Sequence, residues 1–284
     1  MKQDYLIAGH RIRIEGELLI EAVAQIPGFP TFHTNTEGEP VARFVASDKE
    51  FPAFSKTIHS IDVEGVTSNF GYYEDGYAFE TIPEGGESLQ IRMKKGENTV
   101  YFQGNFTMRL LRFGCWMAYG MTTVPLQTVA IHTSCIQYKD KAVIFLGESG
   151  TGKSTHTRLW RENIDGAVLL NDDSPIIRIV DGQPWVYGSP WSGKTHCYKD
   201  ECYPLAACVR LSQAPRNEIS KLSNLHAYAA LHPSCPPCFA YDEPLYDDIC
   251  EVLDALLSSV PVYHLACLPN ADAAHLSCTN VFGV

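Results

Sequence analysis

A phosphate-binding loop pattern limits what this chain of 284 residues can fold into more than any other feature of it. Residues 147–154 read Gly-Glu-Ser-Gly-Thr-Gly-Lys-Ser, directly after the apolar run of residues 142–146. The pattern G-x-x-x-x-G-K-[ST] requires this context, a buried strand before the loop and a helix start behind it. Its glycines let successive backbone N–H groups converge on an oligophosphate, and the helix dipole adds positive potential. The motif therefore predicts a nucleoside triphosphate as ligand, against the alternative of a plain glycine-rich turn.

The residue types in the loop also predict the cofactors. Lys153 brings a full positive charge to the outer phosphates of ATP, and the hydroxyl of Ser154 can ligate Mg²⁺. We therefore expect ATP and Mg²⁺ as cofactors. The predicted nucleotide-binding residues of the loop and the helix start are Gly147, Ser149, Gly150, Thr151, Gly152, Lys153, Ser154 and Thr155.

Charge and composition exclude several classes of partner. The net charge of −11 disfavours a nucleic-acid or acidic-membrane surface, because both kinds of binding require local positive charge. No apolar run approaches the ~20 residues that span a bilayer, and the first residues lack the apolar stretch of a signal peptide. We expect a cytoplasmic protein whose ten cysteines are mostly reduced thiols packed as small hydrophobic groups.

The pattern of the chain changes near residue 105. Residues 1–104 contain short alternating segments separated by turn residues, which predicts a β-rich domain for substrate recognition or oligomerisation. Residues 105–124 predict a bridging helix with a broad apolar face, although Gly114 and Gly120 weaken the case for one continuous helix. Residues 125–284 are predicted to form the catalytic domain.

The order of elements in the catalytic domain predicts a mixed sheet. Residues 129–138 read as one strand, a tight polar turn follows, and residues 142–146 return as the strand before the phosphate loop. This strand is then reached by a hairpin rather than by the helical crossover of a purely parallel sheet. The next apolar run, residues 167–171, ends in Asp172 and Asp173.

Two adjacent carboxylates at the end of a strand suggest divided roles, one near Mg²⁺ and one accepting a proton from an attacking hydroxyl. Successive side chains on a strand point in opposite directions, so Asp172 and Asp173 can both serve one site only if the chain turns there. The following Ser174-Pro175 supports such a turn. The alternative is that one or both carboxylates only form a polar strand end.

This arrangement resembles the catalytic domain of HPr kinase/phosphorylase, whose core is shared with ATP-dependent phosphoenolpyruvate carboxykinase. The matching features are His132 on the preceding strand, the loop of residues 147–154 and the pair Asp172-Asp173. The resemblance covers about residues 125–270. It implies an α/β kinase domain with a mixed sheet and a phosphate-binding loop, preceded here by the β-rich domain.

The resemblance also implies roles for single residues. Lys153 would bind the β- and γ-phosphates, and Ser154 with Asp173 would hold Mg²⁺. Asp172 would be the general base toward the acceptor hydroxyl. His132 would lie close to the transferring phosphate, although a single histidine on an apolar strand can equally be a core residue.

The segment by which that family recognises the protein HPr has no counterpart in this chain. Residues 188–194 stand in its place and read Gly-Ser-Pro-Trp-Ser-Gly-Lys. Lys194 would contact phosphate or substrate, or the segment is a surface turn whose Trp191 packs inward. HPr is therefore not the expected acceptor.

The sequence thus predicts an ATP- and Mg²⁺-dependent kinase acting on a hydroxyl of a peptide, a protein or a small molecule. The alternative is a nucleotide-binding regulatory protein of the same fold that transfers no phosphate. A GTPase is disfavoured because the N-K-x-D guanine motif is missing, and a carboxykinase because 284 residues leave little room for its substrate domain. The acceptor and the oligomeric state stay open, a homo-oligomer included.

Other candidate residues have simpler interpretations. Cys235 and Cys238 have C-x-x-C spacing, but a proline-rich surface turn is favoured over a metal or redox site. Arg210, Arg216 and His226 are candidate phosphate or substrate contacts, for which structural roles are favoured.

Overall fold

A computed structural model describes residues 1–193 and 195–283, and the chain divides into two compact units. The first unit comprises Met1–Leu126 and Cys238–Tyr246, and the second comprises Gln127–Pro237 and Asp247–Val284. The sequence placed boundaries after residues 104 and 124. In the structure the helix predicted to bridge the domains belongs to the first unit, as does the short segment Cys238–Tyr246 from much later in the chain.

A mixed sheet forms the first unit. Its strand order is β3-β1-β2-β4-β9-β8-β7-β6-β5, with parallel pairing of β4 to β2 and to β9 and antiparallel pairing elsewhere. The strands are β1 (Lys2–Ile7), β2 (His10–Glu15), β3 (His33–Thr34), β4 (Ala42–Ala46), β5 (Lys56–Val63), β6 (Val66–Tyr73), β7 (Gly76–Pro83), β8 (Leu89–Lys94) and β9 (Thr99–Gly104).

Two α-helices accompany this sheet, α1 (Glu17–Ala24) and α2 (Met108–Thr123). The two glycines of α2 do not interrupt it, because they serve close packing. A Cβ at Gly114 would come within 2.6 Å of the Leu89 side chain, and one at Gly120 within 2.7 Å of the Phe239 ring. Glycine is thus required here by the neighbours of the helix and not by a bend in its backbone.

The second unit is also built on a mixed sheet. The main strand order is β10-β14-β15-β16-β12-β11-β13, and β18 pairs with β16 and β17. The strands are β10 (Thr128–Ala130), β11 (Thr133–Tyr138), β12 (Lys141–Leu146), β13 (Val168–Asp173), β14 (Ile176–Val180), β15 (Gln183–Tyr187), β16 (Cys202–Gln213), β17 (Glu218–Lys221) and β18 (Val262–Cys267). The helices are α3 (Lys153–Asn163), α4 (Asn224–Leu231), α5 (Glu243–Ser259), whose first turn belongs to the first unit, and α6 (Ala271–Phe282).

The predicted hairpin before the phosphate loop is confirmed. Strands β11 and β12 pair antiparallel, and the two residues between them, Lys139 and Asp140, have φ values of 48° and 56°. Positive φ at both central residues matches the right-handed twist of a two-residue hairpin. Strand β12 then pairs in parallel with β16, and β13 pairs antiparallel with β11. The carboxyl ends of β12, β13 and β16 therefore lie at the same edge of the sheet.

An apolar core lies between this sheet and helices α3 and α6. Phe145 of β12 and Val209 of β16 are fully buried there against Trp160 of α3 and Ala274 of α6. The buried side chains of α3 occupy one face of the helix, so this packing fixes where its N-terminus meets the end of β12.

Two expectations need correction, and one helix was missed. The predicted strand of residues 129–138 is broken, and His132 lies in the break between β10 and β11. Cys235 and Cys238 are each buried, at 7% exposure, so they do not form a surface turn. Helix α6 had not been predicted.

None of the helices within residues 1–193 and 195–283 is long and apolar enough to cross a membrane.

Candidate functional site

The phosphate loop has the backbone that its glycines allow. Gly150 and Gly152 have φ values of 82° and 112°, in the region that side-chain-bearing residues rarely adopt. Helix α3 begins directly after Gly152, so the free N–H groups of its first turn face the loop. The motif thus lies between a buried strand and a helix start, the context in which backbone amides bind an anion.

Lys153 folds back over the loop. Its ammonium donates to the carbonyl oxygens of Gly147 at 2.8 Å and Glu148 at 3.3 Å, and its Nζ is 3.1 Å from Nε2 of His132. Burial lowers the pKa of Lys153, and the charges of Asp173 and Asp172 oppose this effect. The ammonium is therefore held in the mouth of the loop by partners that an anionic ligand can replace.

His132 belongs to the site and not to the core. Its side chain is 51% exposed, its Nε2 faces Lys153, and its Nδ1 is 3.2 Å from Oδ1 of Asp173. An ammonium group only donates hydrogen bonds, so Nε2 must be the accepting nitrogen. The proton of the neutral ring then sits on Nδ1 and is donated to Asp173. The break between β10 and β11 is what exposes this ring.

The two carboxylates divide between two partners. The Ser154 hydroxyl donates to Oδ1 of the buried Asp172 at 3.0 Å, whereas Asp173 contacts His132. The sequence had paired Ser154 with Asp173 at the metal and had assigned Asp172 as the base. Asp172 contacts Ser154 directly, and Asp173 is linked to Lys153 through His132. Since Lys153 and Ser154 are consecutive residues at the start of α3, both carboxylates lie near the same end of this helix.

The predicted turn at the carboxylate pair takes an unusual form. Asp173 has a φ of 125°, although it is the last residue of β13. This conformation is disfavoured for every residue but glycine, so the surrounding structure must hold it in place. A backbone irregularity of this kind is typical of functional sites.

The segment after residue 188 packs against the end of β13. Gly193 donates its N–H to the Asp172 carbonyl, and a Cβ at Gly193 would lie 3.1 Å from Cβ of Asp173. Trp191 is buried, as one of the two interpretations of this segment required. Lys194, the predicted phosphate or substrate contact, lies outside the described residues.

Asn171 holds that segment, and the sequence gave no sign of this role. Its fully buried side-chain amide donates toward the carbonyl oxygens of Trp191 at 3.2 Å and of Ser189 and Cys197 at 3.4 Å. Its Oδ1 accepts the Ser174 N–H at 3.0 Å. The Asn171 side chain thus links Ser174, which follows the Asp172-Asp173 pair in the chain, to the segment that contains Trp191.

A cleft of about 540 Å³ opens beside the loop. The predicted residues Gly150, Thr151, Gly152 and Thr155 line it, whereas Ser149 is exposed on the loop and is not among its lining residues. The opposite walls come from the ends of β16 and β18, at residues 212–214 and 267–269. A cleft that adjoins a phosphate loop has the position required for the nucleoside of a bound triphosphate.

The structure gathers Lys153, Ser154, Asp172, Asp173 and His132 into one connected group. Two of the three candidate phosphate or substrate contacts have local partners, since Arg216 pairs with Glu218 at 2.9 Å and Ser223 contacts His226 at 2.9 Å.

Comparison of the sequence with models of known protein families gave no match, and a search of curated proteins gave none either.

Proposed function

We propose that this chain is an ATP- and Mg²⁺-dependent phosphotransferase, related to HPr kinase, that moves the γ-phosphate of ATP to a hydroxyl acceptor in the cytoplasm. The observation that carries the proposal is the group of side chains at the start of α3. There Lys153 of the phosphate loop contacts His132, and Ser154 donates a hydrogen bond to Asp172. A protein that only binds a nucleotide requires the loop and one metal carboxylate. The second carboxylate, held by a histidine, supports transfer to an acceptor.

The residues fit the proposed magnesium ion. The Ser154 hydroxyl and the Asp172 carboxylate are 3.0 Å apart and supply oxygen donors, which Mg²⁺ prefers. We therefore assign the metal role to Ser154 and Asp172. When bound, Mg²⁺ would neutralise charge that develops on the phosphates.

The base role then falls to Asp173. In the proposed step the acceptor oxygen bonds to the γ-phosphorus, the bond from that phosphorus to the β–γ bridging oxygen breaks, and ADP leaves. The hydroxyl proton passes to Asp173, which His132 orients through its Nδ1 proton. Lys153 leaves its carbonyl partners on the loop and neutralises the outer phosphates.

The acceptor stays a broad class, a hydroxyl of a peptide, a protein or a small molecule. We expect the segment around Gly193, which packs against Asp173, to contact the acceptor. A homo-oligomer remains compatible with this proposal.

The test is transfer of labelled γ-phosphate from ATP to a panel of hydroxyl-bearing peptides and small molecules. We expect Lys153→Ala to abolish transfer and to weaken ATP binding by about tenfold or more, because a charge on the phosphates is lost. Asp173→Asn should retain ATP affinity and lose transfer by a factor of about 10² to 10⁴, the usual contribution of a general base. Asp172→Asn should weaken binding of the magnesium complex more than that of metal-free ATP.

Lys141→Ala is the matched control, because it removes an exposed lysine at the start of β12, the strand whose other end leads into the phosphate loop. Full transfer by Asp173→Asn would contradict its role as the base. Tight ATP binding with no labelled acceptor in the panel would favour the regulatory alternative.

A further inference from the structure

We propose that Arg210 is a further phosphate-binding residue of this site, which exchanges its contact with Glu148 for the outer phosphates of bound ATP. This inference rests on the proposed function and concerns a residue that the sequence named as a candidate phosphate or substrate contact, with a structural role favoured.

The sheet carries Arg210 to the phosphate loop. Arg210 pairs in parallel with Leu146, the last residue of β12 before the loop. Its guanidinium Nη2 lies 3.7 Å from Oε1 of Glu148, the second residue of the loop. Three residues on, the Gln213 side chain reaches the Gly150 carbonyl oxygen at 3.5 Å. The end of β16 thus lies along the loop over several residues.

The alternation of the strand determines on which face Arg210 lies. The preceding residue, Val209, is buried in the core between the sheet and helix α3. Side chains on a strand alternate, so Arg210 lies on the face opposite α3. This leaves the guanidinium at the edge of the site, with 26% of its side chain exposed.

Arg210 and Lys153 both approach the same stretch of the loop. Arg210 lies beside the Glu148 carboxylate, and Lys153 donates to the carbonyl oxygens of Gly147 and Glu148. Two cations close enough to influence each other without a phosphate between them repel. A bound triphosphate would remove this repulsion, since its negative charge interacts with both.

The contact with Glu148 is weak enough to be exchanged. The Glu148 side chain is 85% exposed, and an ion pair this exposed to water contributes little binding free energy. A phosphate offers more charge than a carboxylate, and a guanidinium can bind it with two hydrogen bonds. Arg216, by contrast, pairs with Glu218 at 2.9 Å, and its side chain lies exposed between β16 and β17.

The test is the affinity of the full chain for ATP and for ADP with Mg²⁺, measured by titration calorimetry. We expect Arg210→Ala to weaken ATP binding by about tenfold, and Arg216→Ala, which removes the same charge, to change it by less than about twofold. A larger loss for ATP than for ADP places the contact on the γ-phosphate, and an equal loss places it on the β-phosphate. Unchanged ATP affinity in Arg210→Ala overturns the proposal, as does an equal loss in Arg216→Ala.

A second variant tests the exchange itself, and its effect on ATP binding is measured first in a chain that retains Arg210. Glu148→Gln alters an exposed side chain and should strengthen ATP binding by about twofold to fivefold, because the competing carboxylate is gone. That gain should disappear in the Arg210→Ala background, a coupling that a double-mutant cycle measures. A gain of the same size without Arg210 overturns the exchange. Failure of the unmodified chain to bind ATP would reject the proposed function, whereas normal binding with no effect at Arg210 rejects this inference alone.

Discussion

At the scale of the residue, Asp173 shows how the site is assembled against local preference. Its φ of 125° costs a residue with a side chain about 1–3 kcal/mol. In return, Asp173 contacts His132 while the neighbouring Asp172 contacts Ser154. The strain is thus located at the residue to which we assign proton transfer.

We expect Asp173→Gly to be more stable than Asp173→Ala by about 1–3 kcal/mol, because glycine adopts this φ without strain. Urea denaturation measures the difference. Both variants should lose phosphate transfer, since neither carries a carboxylate.

The opposite order is expected at Asp172, which is not among the residues with positive φ. There, glycine should be less stable than alanine by about 0.5–1 kcal/mol, the usual cost of glycine in a strand. Equal stability of Asp173→Gly and Asp173→Ala would show that the position is not strained.

The sequence predicted the residues of this site whose chemistry is local. Lys153 and Ser154 follow from the loop pattern, and the pair Asp172-Asp173 from its place after an apolar run. Asn171 was not singled out by the sequence, and Arg210 was named as a candidate phosphate contact for which a structural role was favoured. Their partners lie on other strands and loops of the sheet, so their roles depend on pairing that no local pattern encodes.

At the scale of the element, the segment Cys238–Tyr246 is held in the first unit by one buried carboxylate. The side chain of Asp242 has 0% exposure and accepts from the hydroxyls of Tyr72 at 2.8 Å and Tyr77 at 2.9 Å. Lys95 is 3.2 Å away, and the Leu245 N–H donates at 3.1 Å. Burial alone would raise the pKa of Asp242, but these four donors together hold it below its ordinary value.

We expect Asp242→Asn to lower the free energy of unfolding of the first unit by about 3–5 kcal/mol, the range for breaking a buried ionic contact. The amide would present a donor where the carboxylate accepts, and the Lys95 ammonium would lose its counter-charge. Urea denaturation followed through Trp116, which lies in α2, measures the change.

The matched control is Asp75→Asn. Asp75 also pairs with a lysine, Lys94 at 3.4 Å, but its side chain is 65% exposed. An exposed pair contributes little, so this variant should change stability by less than about 1 kcal/mol. Similar losses in the two variants would show that the burial of Asp242 is not what matters.

Elements formed by neighbouring residues were predicted better than those that depend on distant ones. The hairpin of β11 and β12 follows from a polar turn between two apolar runs. The break that exposes His132 lies within a run of apolar character, where periodicity shows no interruption. The continuity of α2 was also uncertain from the sequence. Its glycines are required by close contacts with Leu89 and Phe239, which lie elsewhere in the chain.

At the scale of the whole molecule, the two units should respond differently to acid. His156 of α3 is buried in the second unit beside Ser277 and Trp160, and burial lowers its pKa to about 4. In the first unit the acid-sensitive groups include Asp242 and Asp4, whose pKa a hydrogen bond from Arg13 lowers below its ordinary range.

We expect the second unit to lose stability as the pH falls from about 6.5 to 4. Over this range the unfolded chain takes up a proton on His156 and the folded chain does not, so stability rises with pH. The loss should reach up to about 3 kcal/mol. In the first unit, Asp4 and Asp242 should lower the stability at lower pH, where these carboxylates become protonated.

Urea denaturation at a series of pH values, followed by tryptophan fluorescence, measures this dependence. His156→Gln should flatten the curve between pH 6.5 and 4, because the variant has no group there that titrates in this range. An unchanged slope in this variant would assign the acid sensitivity to other groups.

The position of Cys238–Tyr246 in the chain affects how the protein is made. Residues 1–126 leave the ribosome before Cys238–Tyr246 of the same unit. Until then the hydroxyls of Tyr72 and Tyr77 lack their partner Asp242, and Gly120 lacks its contact with Phe239. At bacterial or eukaryotic rates of synthesis the delay is on the order of ten seconds. The sheet of residues 1–126 is therefore completed only after more than a hundred further residues have been added, so it must persist in an unfinished form during their synthesis.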